Sequence, residues 1–128
     1  MIRFAIVLVF LGLSIGCSDP RERASGQIND ATAKELRFEA ARLYKQLRSS
    51  PAPNYIPLKR SAWPAAFLRF KPQRIGVYTD GVALALEGES ATEEGLHIVP
   101  KGMNFTPPAG RARYEPVRDG IYWYSLGK

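Results

Sequence analysis

Two Asp-Gly dipeptides constrain this chain more than any other feature. Asp80-Gly81 lies between Ile75, Val77 and Tyr78 on one side and the run Val82 to Leu86 on the other. Asp119-Gly120 lies between Arg113 to Val117 and Tyr122 to Leu126. Asp-Gly between alternating apolar runs is the strongest short-range signal for a β-hairpin, because the favoured two-residue turn needs positive φ. A loop at 80–81 predicts Val77 opposite Leu84 and Ile75 opposite Leu86, all apolar, with Gly76, Tyr78, Ala83 and Ala85 on the other face. A loop at 119–120 predicts Tyr114 and Pro116 beside Ile121 and Trp123 on a core side. Arg113 and Glu115 then lie near Tyr122 and Tyr124 on the other side.

Upstream the periodicity is helical. Leu36, Ala40, Leu43, Tyr44 and Leu47 form one stripe at i, i+4, i+7, i+8 and i+11, predicting a helix over Asp30 to Arg48. Asn29 or Asp30 can cap it, and Thr32 to Glu35 fits a capping box. Arg42, Lys45 and Arg48 suit the negative end of the helix dipole, and Phe38 falls on the polar side. Pro51 to Arg60 carries three prolines and reads as an extended segment on the domain surface. Ser61 to Phe70 reads as a short helix capped by Ser61, with Trp63, Phe67 and Phe70 on one side. Leu96 to Val99 is a third strand, and Lys101 to Arg111 a long Gly/Pro loop. Two helices before about five strands predict an α+β domain: one main amphipathic helix and a short helix packed on an antiparallel sheet built from two Asp-Gly hairpins.

The first seventeen residues have a different character. Arg3 precedes an apolar run from Phe4 to Leu13, followed by Ser14, Ile15, Gly16 and Cys17. A positive start, an apolar centre and small residues before a cleavage point make a secretory signal. The run is shorter than the ~20 apolar residues a bilayer span needs. With its cysteine directly after Gly16, the segment resembles the signal of bacterial lipoproteins, although Leu13 stands four residues before the cysteine and Ser14 three. The resemblance implies cleavage after Gly16, with a diacylglycerol thioether and an amide-linked acyl chain such as palmitate on Cys17. Ser18, where an aspartate marks inner-membrane retention, implies the outer membrane and a domain facing the periplasm. The implied division is a signal over 1–16, the lipidated cysteine and a flexible tether over 17–29, and a single domain over 30–128. The tether reading rests on the polar stretch Ser18 to Asn29.

Removing residues 1–16 leaves 112 of the 128 residues, enough for one domain. Subtracting Arg3 leaves 17 basic against 12 acidic residues, a net charge of +5. Such charge favours anionic head groups or acidic proteins, or serves only solubility. Cys17 is the sole cysteine and His97 the sole histidine. That removes disulfides, cysteine zinc sites and multi-histidine metal sites from consideration.

No Gly-x-Ser-x-Gly or phosphate-cradling glycine loop occurs. Ser125 to Lys128 is a Ser-x-x-Lys only at a fraying end. Glu87, Glu89, Glu93 and Glu94 match no calcium-loop spacing. No catalytic set, metal or cofactor is therefore expected. The remaining constellation is Tyr78, Arg113, Arg118, Tyr122 and Tyr124, the aromatic-plus-arginine composition of protein interfaces and sugar-stacking surfaces. The ending Gly120-Ile121-Tyr122-Trp123-Tyr124 is similar to that of small uncharacterised bacterial exported or envelope-associated proteins, a resemblance that implies no activity. The expectation is a non-catalytic binding module anchored to the membrane through Cys17. Its partner would be an envelope protein, an incoming toxin or lysozyme-like enzyme that it inhibits, or cell-wall polymer, and not nucleic acid. The alternative is an enzyme acting on wall polymer.

Overall fold

The computed structural model describes residues 19–48, 54–87, 92–110 and 112–127. The apolar leader and Cys17 lie outside the described residues. The chain forms an α+β domain with helices on one face of an antiparallel sheet. The helices are α1 (Pro20–Gly26), α2 (Asp30–Leu47) and α3 (Ala65–Leu68), with a 3-10 turn at Arg60–Ala62. The strands are β1 (Tyr55–Pro57), β2 (Arg74–Tyr78), β3 (Gly81–Glu87), β4 (Glu94–Ile98), β5 (Ala112–Arg118) and β6 (Ile121–Leu126). Among the described residues six strands lie in the order β1-β2-β3-β4-β6-β5, so the last hairpin places its second strand against β4 and its first at the edge.

The amphipathic helix forms where its stripe demands. Asn29 caps α2 by accepting the Thr32 N–H at 2.8 Å, and Ala33, Leu36, Ala40 and Leu43 are buried beneath it. They pack on Ile75, Val77, Val82, Leu84, Leu96, Ile98, Ile121 and Trp123 from the sheet, with Phe67 and Phe70 closing one end. This is the only large apolar cluster among the described residues, and its burial is the main stabilising term.

The expected tether is corrected over Asp19 to Ile28. Asp19 accepts the Arg21 N–H, Pro20 opens a seven-residue helix, and Ala24 and Ile28 enter the core. Polar composition concealed an N-cap followed by proline, the usual start of a helix. The expected helix over Ser61 to Phe70 is also broken. Trp63 and Pro64 are extended, with ψ of 124° and 144°, and Trp63 is so because a residue before proline is driven out of the helical region. The proline-rich segment contributes β1, a short edge strand where the missing N–H of Pro57 does least harm.

Both hairpins form, with altered registers. In the first, Val77 faces Val82 and Ile75 faces Leu84, so the turn lies at Thr79–Asp80, one residue early. Asp80 keeps a negative φ, and Gly81 takes the unusual backbone at φ 157°. The pairing slides by two residues, which preserves the faces. In the second, Asp119-Gly120 does form the turn, with Gly120 at φ 71°. A bulge between Pro116 and Arg118 then shifts everything beyond it by one residue. Pro116 has no N–H to give the ladder, and a bulge is where a strand tolerates it. The one-residue shift overturns the expected facing: Tyr114 pairs with Tyr124, away from the helices.

Candidate functional site

The sheet face away from the helices is an aromatic surface, and its origin lies in residue size. Along β2, β3 and β4 this face carries Gly76, Ala83, Ala85 and Gly95, which share cross-strand pairs. That shallow row leaves room that larger residues from the flanks fill. Tyr55 of β1 leans over Gly76, where a Cβ would collide with the ring, and meets Tyr78 at 4.8 Å between centroids. From the other flank come Tyr122 and Tyr124 of β6 and Tyr114 of β5.

Phe105 reaches over the sheet from the loop between β4 and β5. Its ring lies 4.5 Å from His97, 5.1 Å from Tyr114 and 5.1 Å from Tyr122. The backbone at the start of the loop is fixed: Val99 N–H donates to Gly120 O, and Arg37 Nε donates to Val99 O at 2.9 Å.

A cleft of about 130 Å³ opens among Tyr78, Asp80, Ala83, His97, Tyr114 and Tyr124, with Leu126 at its end. That volume is the share of roughly four waters, enough for one inserted side chain or a small planar group.

Two of its polar side chains, Tyr124 and His97, are held by neighbours. Tyr124 is 4% exposed, and its hydroxyl donates to Glu93 Oε2 at 2.6 Å. Arg74 donates to Glu93 Oε1 at 2.6 Å, so one carboxylate joins β2 to β6. Burial, reinforced by the bond to the Glu93 carboxylate, pushes the Tyr124 phenol far above its usual range. Burial pushes Tyr78 up to about 12, with Glu93 adding to it. Tyr114 and Tyr55 are raised by the same cause. All four phenols are neutral hydrogen-bonding groups at pH 7.

His97 is 3% exposed, and burial lowers its pKa, with Asp80 opposing. Its Nε2 lies 3.3 Å from the Asp80 carbonyl oxygen and 3.9 Å from Asp80 Oδ1. The sequence places this histidine opposite Leu96 and Ile98, and it lies there. The neutral imidazole packs against Phe105 and faces a backbone carbonyl, with no nucleophile beside it among the described residues. No group of three His, Cys, Asp or Glu side chains among the described residues converges as a metal centre requires.

Of the residues singled out in the sequence, Tyr78, Tyr122 and Tyr124 come together on this face. The two arginines do not. Arg118 turns to the helix side, donating to Ile28 O at 3.1 Å and to Asp30 Oδ1 at 2.9 Å, where it ties β5 to the α1–α2 junction. Arg113 pairs with Ser125, one residue out of phase with Tyr114, and is exposed on the opposite face. Sequence reading missed Tyr55, Phe105, Tyr114 and His97 as members. The available signal was the small-residue row itself, since glycine and alanine at paired positions call for large neighbours. No family model matches the chain, and no curated protein or solved structure matches it.

Proposed function

We propose that this protein is a bacterial envelope lipoprotein, anchored through Cys17 to the outer membrane and facing the periplasm. On this reading it binds a partner protein through the aromatic face of its sheet and catalyses nothing. The observation that carries the binding reading is the helix-free face, where Tyr78, His97, Tyr114 and Tyr124 line a cleft sized for one side chain and Phe105 packs on the neighbouring rings. Tyrosine-rich surfaces of this kind supply large, stiff contact area with hydroxyls at the rim, as protein interfaces do. The anchor reading rests on Arg3, the apolar run and Cys17.

The test is in-cell crosslinking followed by mass spectrometry, with Cys17→Ala and Tyr122→Ala as comparators. The expected result is one protein recovered with the wild type and lost with Tyr122→Ala. Cys17→Ala should release the protein from membranes and lower its mass by the acyl groups. Recovery of wall polymer in place of protein would overturn the partner assignment. Unchanged membrane fractionation of Cys17→Ala would overturn the anchor.

A further inference from the structure

Correcting the tether to a packed helix changes what the membrane would meet. If Cys17 is acylated, only Ser18 and Asp19 separate it from Pro20, a reach of at most about 10 Å. The helix α1 and its neighbours would then lie against the lipid instead of standing clear of it. A groove of about 380 Å³ runs between α1 and the turn leading from α3 into β2. Arg23, Arg69 and Lys71 bring three exposed cations to it, and no described acid lines it. Beside them Leu68 is 50% exposed, one of two large apolar side chains so displayed among the described residues. Lys71 adds an independent mark. It is the one described non-glycine residue with left-handed backbone, at φ 51°, where glycine or asparagine would sit with less strain.

We propose that this groove docks the domain onto an anionic phospholipid surface, the cations meeting phosphates and Leu68 entering the head-group layer. The inference rests on the anchored reading above. Each cation held near such a surface shifts the docked fraction about fivefold, so three together decide whether the domain lies down or tumbles on its anchor.

The test uses the full chain as cells process it, with Gln27→Cys in the groove carrying a polarity-sensitive dye. The protein is reconstituted into vesicles of phosphatidylcholine alone or with 30 mol% phosphatidylglycerol added. The expected result is flotation with both, and a blue shift of the dye only with phosphatidylglycerol, weakening as salt is raised. Arg23→Gln, Arg69→Gln and Lys71→Asn combined should reduce docking about a hundredfold with an unchanged thermal midpoint, asparagine being tolerated at a left-handed position. Equal dye signals in the two lipids, or an unaffected triple variant, would overturn the groove while leaving the anchor intact. A dye response to phosphatidylglycerol without flotation on neutral vesicles would uphold the groove and remove the anchor. Failure to bind either vesicle overturns both.

Discussion

Tyr124→Phe deletes one oxygen and leaves the ring contacts of the aromatic face in place. The lost hydroxyl is buried and donates at 2.6 Å to a carboxylate, the length of a charge-assisted bond. Bonds to charged groups contribute about 1.5–3 kcal/mol net. Glu93 keeps its second bond, to Arg74, and its side chain is 13% exposed, so water reaches it only in part. About 2 kcal/mol is therefore expected. With a urea slope of about 1–3 kcal/mol per molar, the unfolding midpoint should fall by roughly 1 M. The thermal midpoint should fall by roughly 8 °C or more. The assay is urea unfolding of wild type, Tyr124→Phe, Glu93→Gln and the double variant. The pair should couple by at least about 1 kcal/mol, because Glu93→Gln takes the charge from the bond that Tyr124→Phe deletes. A loss below about 0.5 kcal/mol, the range of an ordinary surface change, or simple additivity would refute the reasoning.

Other consequences can be checked alongside. His97 is held neutral by burial, its folded pKa lying below the unfolded 6.5. Its contribution to stability is complete above pH 6.5 and is lost as pH falls toward the folded value. Between pH 7.5 and 5.5 the wild-type urea midpoint should drop, and His97→Gln should flatten that slope; equal slopes would contradict the assignment. Tyr78 is raised to about 12, and Tyr55, Tyr114 and Tyr124 are raised too, so their contributions are present below pH 10 and lost as pH rises through the folded values. Ultraviolet titration should show a fraction of the tyrosines ionising only above about pH 11, together with unfolding, and a single transition near 10 would count against burial. Gly76→Ala should displace Tyr55 from Tyr78 with a stability cost of no more than about 1–3 kcal/mol, since the colliding group is a side chain. Near-ultraviolet circular dichroism should then report loss of the ring pair, and an unchanged spectrum would contradict the packing.

The α2 stripe, the hairpins and the separation of Ile75, Val77 and Leu84 from Tyr78 and Ala83 were all legible, because period and parity survive small errors of register. The first turn slipped to Thr79–Asp80, yet a slide of two residues left both faces intact. The second hairpin held its turn and still misplaced Tyr114. One bulge at Pro116 reverses every residue beyond it, and nothing in an alternating pattern marks where a bulge falls. The same reversal carries Arg113 away from the tyrosines, whereas Arg118, on the turn side of the bulge, lies opposite Ile121 in either register. Phe105 was hidden for a different reason: a Gly/Pro loop has no period, so its landing place is set by tertiary packing. At α1 the information was present in Asp19-Pro20 and in the spacing of Ala24 and Ile28, and polar composition outweighed it.

The central claim is that the aromatic sheet face, and not the outer surface of α2, engages a partner. A photo-crosslinking residue placed in cells at Tyr122 or Pro116, and for comparison at Glu39 or Arg42 on α2, tests it directly. Capture of one discrete protein from the Tyr122 and Pro116 positions, with none from α2, is the expected result. Capture from the α2 positions alone, or equal capture from both faces, would contradict it.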